Sequence, residues 1–141
     1  MRRIVYITRR ETFAASHRLF KPGLSDEENF KLFGKCSNPN WHGHNYTLEV
    51  IVAGVVDSET DFVMDLSELK EIVRKYVITK VDHKNLNLDT DFMKGINPTS
   101  ENIAIAIWNE LNDKITKGRL YSVKLYETEN NYFEYKGEKF E

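Results

Sequence analysis

The sequence predicts an α+β fold in which two helices cover one face of a four-stranded antiparallel sheet. Two long stretches near the N-terminus alternate apolar and polar residues, which is typical of half-buried strands. Two later stretches carry apolar residues at helical spacing behind good N-cap residues. Two further alternating runs follow, so the predicted order is β-β-α-α-β-β, with the helix pair covering one face of the sheet.

The first two predicted strands each present one apolar face that also carries histidine. The first lies within residues 3–19, and His17 shares its apolar face. That face is formed by the odd positions Val5, Ile7, Phe13, Ala15 and Leu19. The second runs over residues 42–56 and ends at the polar stretch DSETD. Its even positions are His42, His44, Tyr46, Leu48, Val50, Val52, Gly54 and Val56.

Capping residues mark the starts of the two main helices. Asp65 is a good N-cap residue, and Glu68 stands at capping-box spacing after it. The apolar positions that follow are Leu66, Leu69, Ile72, Val73, Tyr76 and Val77. The segment NPTSEN then offers Thr99 or Ser100 as the cap of a second helix with Ile103, Ile107, Trp108 and Leu111 on one face. An earlier stretch, LSDEENFKLFGK, is predicted to form one or two helical turns.

The last two strands are LYSVKLYET and YFEYKG, joined by a tight ENN connection. An isolated sheet of this kind has two exposed edges, which invite pairing with another chain. We therefore expect symmetric self-assembly through the sheet edges.

Composition narrows the class of protein. The 141 residues fit one domain, 1–141, with 40% hydrophobic and 30% charged residues. A net charge of -2 gives no basic footprint, so we do not expect nucleic acid as the main partner. A single cysteine cannot form an internal disulfide, and no signal peptide or membrane-spanning run is recognisable. The expected location is the cytoplasm, with no membrane partner.

Three histidines have the geometry of a metal site. His42 and His44 project from the same strand face, about 7 Å apart along the strand. His17 would join them from the neighbouring strand. Three neutral imidazoles form the usual shell of a catalytic zinc and leave a position for water or substrate. The alternative for His17 alone is a hydrogen-bonded core histidine.

Cys36 lies six residues before His42, in the turn-rich stretch GKCSNPNWHGHNY. It could be an inert buried thiol, a fourth zinc ligand that closes the site, or a general base or nucleophile. The adjacent Lys35 is expected to lower the pKa of the thiol, which favours the reactive interpretation.

Two carboxylates stand out beside these groups. Asp82 precedes His83 in the polar stretch VDHKNL, which suits either a proton-transfer pair or a solvated loop. Glu127 ends the apolar strand row of Tyr121, Val123 and Leu125, so it is either a ligand anchor or a wet strand end. Glu101 has a weaker claim, because it also suits the positive end of its helix.

Five ordered segments resemble the 6-pyruvoyltetrahydropterin synthase family, from about Glu11 to Gly137. They are FAASHRL, LSDEENFKLFGKCSNPNWHGHNY, VDHKNL, PTSENIAIAIW and VKLYETENNYFEYKGE. The resemblance implies the tunnelling fold, in which three subunits close one barrel and two trimers stack into a homohexamer. It also implies a lyase of tetrahydrobiopterin biosynthesis, which converts 7,8-dihydroneopterin triphosphate to 6-pyruvoyltetrahydropterin and eliminates triphosphate.

The resemblance also implies roles for particular residues. One zinc ion per subunit would be held by His17, His42 and His44, and magnesium would accompany the triphosphate. The proton-transfer residues would be Cys36, Asp82 and His83, the last two supplied by a neighbouring subunit. Glu127 would anchor the pterin, with Thr99, Ser100 and Glu101 nearby. Arg18, Lys35 and Lys84 are candidate contacts of the triphosphate.

Two departures from the family pattern keep alternatives open. Trp41 stands where the family usually has glycine before His-Gly-His. The segment NPTSEN is closer to the bacterial 6-carboxytetrahydropterin synthases of queuosine biosynthesis, although those enzymes usually place their cysteine four residues before the first histidine. The spacing of six therefore favours the pyruvoyl product. A non-catalytic, zinc-stabilised pterin-binding protein is the third possibility.

Overall fold

A computed structural model describes residues 2–140 of the chain and shows one five-stranded sheet. Its strands are β1 (Ile4–His17), β2 (His42–Val55), β3 (Lys84–Asn85), β4 (Arg119–Thr128) and β5 (Asn131–Tyr135). The spatial order is β3-β1-β2-β4-β5. The four long strands are antiparallel neighbours, which confirms the prediction. The short β3 adds a parallel partner to β1, and two residues are too few to show a periodic pattern.

The two main helices begin where the capping signals place them, although the apolar run predicted to reach Val77 changes to a π-helical turn after Val73. The helices are α1 (Asp26–Phe33), α2 (Leu66–Val73), α3 (Thr79–Val81) and α4 (Ser100–Leu111), and the π-helical turn (Arg74–Ile78) joins α2 to α3. Asp65 caps α2 by accepting from the backbone N–H of Ser67, but the predicted capping box does not form. Glu68 instead pairs with Lys117 at 3.1 Å. Thr99 caps α4 by accepting from the backbone N–H of Asn102.

One hydrophobic core joins the sheet to the helices. The sheet contributes Phe13, Ala15, Tyr46, Leu48, Val50, Val52, Val123 and Leu125, and the two main helices contribute Leu69, Val73, Ile103, Ala104, Ala106, Ile107 and Leu111. The predicted inward faces of β1 and β2 are therefore confirmed over most of their length. Their far ends differ, since Val5 and Val56 are exposed. The core face ends, at the opposite end of the two strands, in the histidines.

The sheet has two open edges within the described chain. β3 pairs only with Ala15 and Ser16, so the outer edge of β1 from Ile4 to Ala14 has no partner strand among residues 2–140. β5 is the last strand on the other side. None of the described helices has the length and apolar character needed to cross a membrane.

Candidate metal centre

Strand register brings the three histidines together. His17 and His42 are directly opposite in the β1–β2 ladder, and His44 follows on the same face of β2. The ring centroid of His17 lies 4.5 Å from that of His42 and 5.1 Å from that of His44. One nitrogen from each of the three rings lies within 4.8 Å of the other two. The three histidines could therefore hold one metal ion.

Hydrogen bonding orients His17 for this role. Its side chain is fully buried, and Nδ1 lies 2.8 Å from the carbonyl oxygen of Pro98. A carbonyl only accepts, so Nδ1 carries the proton and Nε2 keeps its lone pair. The hydroxyl of Tyr46 lies 3.3 Å from Nδ1 and 3.5 Å from Nε2 of the same ring. Outer contacts of this kind fix the tautomer and ring orientation of metal-binding histidines.

The other two rings carry buried nitrogens that make no hydrogen bond with the described residues, although a carboxylate oxygen of Glu127 lies 3.4 Å from Nε2 of His44. Within the described chain, both ring nitrogens of His42 and Nε2 of His44 are buried without a hydrogen bond. Such orphaned groups are rare in folded proteins and cost free energy. A cation bound between the rings would take one nitrogen from His42 and one from His44, so the donor set fits a metal ion.

Protonation favours the same interpretation. Burial lowers the pKa of His17, although the hydrogen bond to Pro98 opposes this effect. Burial also lowers the pKa of His42, and the neighbouring His44 adds to the shift. Both rings are therefore neutral at pH 7, and only neutral imidazole binds a metal ion.

Glu127 lies at the edge of the histidine cluster. The β4–β5 register shifts between Tyr126 and Thr128, and bulges of this kind re-aim a side chain. One carboxylate oxygen of Glu127 accepts a 2.5 Å hydrogen bond from the hydroxyl of Ser100, and the other lies 3.4 Å from Nε2 of His44. The side chain is only 25% exposed, so it is not a fully solvated strand end.

The side chains of Thr99, Ser100 and Glu101, at the start of α4, have different contacts. Ser100 is buried and holds Glu127, whereas the side chain of Thr99 is used as the helix cap. Glu101 is exposed on the first turn of the helix. Of the three, the structure brings Ser100 into direct contact with the cluster's carboxylate.

Cys36 lies on a short 3₁₀ turn (Gly34–Ser37) between α1 and β2. Burial raises the pKa of its thiol, and the charge of Glu127 raises it further. The expectation that Lys35 would lower this pKa is therefore wrong, because Lys35 is exposed and its charge is screened by solvent. The thiol does not belong to the described group of mutually close ligand atoms, which comprises the three histidines.

Asp82 and His83 form a pair outside the described group of three mutually close histidines. Nδ1 of His83 lies 3.0 Å from Oδ1 of Asp82, which also accepts from the backbone N–H of Ala14. This backbone hydrogen bond is the main reason why the pKa of Asp82 is lowered. His83 has a positive φ of 60°, and its side chain is 83% exposed. The side chain of His83 therefore faces solvent beside the edge of β1.

Sequence reasoning missed two residues that orient the cluster. Neither the carbonyl of Pro98 nor the hydroxyl of Tyr46 was expected to contact His17. Pro98 is 81 positions away in sequence, so no local pattern reveals its contact. Tyr46 did carry a signal, since it follows His42 and His44 at the strand period on the same face.

The fold and the site define a class: an α+β protein whose antiparallel sheet ends in a three-histidine cluster able to hold a metal ion. Over residues 6–138 the sequence matches the family described as 6-pyruvoyl tetrahydropterin synthase. The chain belongs to that family.

Individual relatives agree with this assignment. The chain is 51% identical to a Pongo abelii protein named 6-pyruvoyl tetrahydrobiopterin synthase, with 94% of this chain and 91% of the relative covered. It is 50% identical to the Dictyostelium discoideum protein of the same name, covering 98% and 100%. The solved structure of Caenorhabditis elegans 6-pyruvoyl tetrahydropterin synthase has a TM-score of 0.89 and 43% identity, covering 96% and 97%. A more distant Rickettsia typhi protein, named 6-carboxy-5,6,7,8-tetrahydropterin synthase, is 30% identical over 93% of this chain and 99% of its own length.

Proposed function

We propose that this protein converts 7,8-dihydroneopterin triphosphate to 6-pyruvoyltetrahydropterin and releases inorganic triphosphate. It would thus be a carbon–oxygen lyase of tetrahydrobiopterin biosynthesis. The observation that carries the proposal is the three-histidine cluster with Glu127 at its edge, in a chain that matches 6-pyruvoyl tetrahydropterin synthases over nearly its whole length.

His17, His42 and His44 would hold one zinc ion per subunit. Three neutral histidines would leave zinc its full charge and an open position, and zinc held there would supply Lewis-acid polarisation of the substrate hydroxyls and so acidify the adjacent C–H bonds. Glu127 would accept hydrogen bonds from the amino-pyrimidinone edge of the pterin. Ser100 fixes one oxygen of this carboxylate and thereby its plane, with Thr99 and Glu101 nearby on the same helix start.

Proton transfer would fall to Cys36 and the Asp82–His83 pair. The raised pKa keeps the Cys36 thiol protonated in the protein without metal. A metal cation held close to the turn would lower this pKa and so favour the thiolate. Asp82 would orient the imidazole of His83, whose ring nitrogens can accept and donate a proton in a relay.

The exposure of His83 supports an active site shared between subunits. A proton relay that faces solvent in one subunit needs a second subunit to reach the substrate. The open edges of β1 and β5 offer the surfaces for such an assembly. We propose a homohexamer made of two trimers, with the trimer closing the tunnelling-fold barrel, working in the cytoplasm with magnesium bound to the triphosphate.

The second candidate function is that of a 6-carboxytetrahydropterin synthase. The 30% identity to the Rickettsia typhi protein favours it, and so does the segment NPTSEN. The roughly 50% identity to proteins named for the pyruvoyl product favours the first candidate more strongly. A non-catalytic pterin-binding protein with Cys36 as a structural ligand has less support, because the thiol lies outside the described ligand group.

Product analysis separates these candidates. The zinc-loaded protein is incubated with 7,8-dihydroneopterin triphosphate and magnesium, and the pterin product is identified by mass spectrometry. We expect 6-pyruvoyltetrahydropterin and one equivalent of triphosphate, and no product from a His42→Ala control. A 6-carboxy product would select the second candidate. Binding of the substrate without turnover would select the non-catalytic protein.

A further inference from the structure

Arg18 follows the buried His17 directly, and its own side chain is turned away from solvent. The side chain is only 13% exposed. Its Nε donates a 2.8 Å hydrogen bond to the carbonyl of Ser37, and Nη2 donates at 3.0 Å to Oδ1 of Asp26. The guanidinium carbon lies 4.2 Å from the centre of the Phe20 ring. Two of its five N–H donors are thus committed to the protein, and its plane lies against an aromatic ring.

These contacts hold the turn that carries Cys36. The backbone N–H of Leu19 donates to the carbonyl of Cys36 at 2.8 Å, and Arg18 holds the next carbonyl, that of Ser37. Two consecutive carbonyls of the turn are therefore tied to consecutive residues after β1. A four-residue 3₁₀ turn has little rigidity of its own, so its placement depends on such ties.

The backbone of Arg18 is itself fixed from the opposite side. The side chain of Asn87 accepts from the N–H of Arg18 and donates to its carbonyl, both at 2.9 Å. Arg18 therefore cannot shift without breaking contacts to α1, to the Cys36 turn and to the loop after β3.

We propose that Arg18 is a positioning residue for Cys36, and not a ligand of the substrate's phosphates. The planar guanidinium donates in two directions at once, so it links the Cys36 turn and the start of α1 to the strand that carries His17. This fixes the position of the thiol relative to the three histidines. The inference rests on the proposed proton-transfer role of Cys36.

The variant Arg18→Lys distinguishes a positioning residue from a phosphate ligand. Arg18→Lys keeps the positive charge that a phosphate needs, but the single ammonium cannot reproduce the two-way contact. A phosphate ligand would therefore tolerate lysine better than glutamine. A positioning residue would lose its effect in Arg18→Lys and Arg18→Gln alike.

The experiment measures thiol reactivity and turnover in the same proteins. Cys36 is the only cysteine, so alkylation by iodoacetamide at fixed pH reports on it alone. In the zinc-loaded protein without substrate, we expect both Arg18 variants to be alkylated at least about fivefold faster, because release of the turn exposes the thiol. We also expect kcat to fall at least about tenfold with KM within about twofold and zinc content unchanged. Lys31→Gln, at an exposed position of α1, is the matched control and should behave as the native protein.

Other outcomes overturn the proposal. A raised KM in Arg18→Gln, with Arg18→Lys and the alkylation rate near native, would assign Arg18 to the phosphates. Loss of zinc in Arg18→Lys would show that the residue acts through His17. If neither Arg18 variant folds, Asp26→Asn is tested instead, because Asp26 is the exposed partner of Arg18, with 76% of its side chain accessible. Loss of this carboxylate should speed alkylation of Cys36 about two- to threefold. An alkylation rate equal to that of the native protein would contradict the proposal. Alkylation needs no substrate, so a protein inactive on the pterin would refute the proposed function without affecting this test.

Discussion

The carbonyl oxygen of Pro98 accepts a hydrogen bond from Nδ1 of His17, and this contact joins the loop before α4 to the end of β1. It leaves Nε2 of His17 as the metal-binding nitrogen. We expect His17→Ala and His42→Ala to lose bound zinc, with an affinity drop larger than the roughly 10- to 100-fold typical of outer-contact changes. Metal analysis after dialysis measures this. His83→Ala is the control, and zinc loss in that variant would contradict the assignment of the site.

Replacement of Cys36 tests the proton-transfer role. Cys36→Ala should keep the fold and the zinc content, because the thiol is outside the group of ligand atoms. Turnover should fall by about 10²- to 10⁴-fold, the usual contribution of a positioned acid or base. Steady-state kinetics and metal analysis of the same preparation give both numbers. Full activity in Cys36→Ala would remove the thiol from the mechanism.

A shared active site predicts complementation between inactive variants. Cys36→Ala and His83→Ala should each be nearly inactive when assembled alone. Mixed assemblies, made by unfolding and refolding the two together, should regain activity, because some sites combine an intact Cys36 with an intact His83 from a neighbour. Mixing Cys36→Ala with His42→Ala is the control, since both residues would belong to the same subunit's half of each site. Activity that fails to return in the first mixture would place His83 within its own subunit's site.

Glu11 predicts a pH dependence of stability. Burial raises the pKa of this carboxyl, but the hydrogen bonds and charges of Arg74 and Arg9 outweigh that effect and hold it below its usual value of 4.5. A lowered folded-state pKa stabilises the fold at higher pH, and this contribution is lost as pH falls through the folded pKa. The difference in Tm between the native protein and Glu11→Gln should therefore be largest near pH 6 and shrink below pH 4.5. Glu59→Gln, at an exposed carboxylate, should show no such trend.

Trp41 has a positive φ of 69°, which explains why glycine suits this position. Its ring packs edge-on against Phe20, with centroids 6.5 Å apart, and this contact offsets part of the backbone strain. Trp41→Ala keeps the strain and loses the ring, so it should be less stable than Trp41→Gly by about 1 kcal/mol. Denaturant unfolding of the three proteins measures the order. Alanine equal to or more stable than glycine would show that the strain is not significant.

The histidine cluster could be predicted from sequence because it depends on local rules. Strand periodicity places His42 and His44 on one face, and antiparallel pairing of two adjacent long strands brings His17 opposite them. Capping residues likewise located α2 and α4 to within a residue or two. The strand-face and capping inferences use spacings of four residues or fewer, and the position of His17 follows once β1 and β2 are paired as antiparallel neighbours.

The remaining features depend on contacts that spacing does not encode. The charge next to Cys36 in sequence is Lys35, but burial and the charge of Glu127 raise the pKa of the thiol, so the expected direction of the shift was wrong. Arg18 was expected among the possible phosphate contacts, whereas its guanidinium bonds to Ser37 and Asp26. The hydrogen-bond partners of these polar side chains are distant in sequence, so the tertiary fold determines them and local spacing does not reveal them.

The histidine cluster lies on strands β1 and β2, whereas His83 lies on a separate loop, and this separation affects how the protein should respond to dilution. His17, His42 and His44 come from two adjacent strands of one chain, so one chain brings together all three histidines that could hold the metal ion. The side chain of His83 projects outward, so in the proposed assembly it would serve an active site only when a second copy of the chain is bound. We therefore expect turnover per subunit to fall as the protein is diluted, while the zinc content per subunit stays constant.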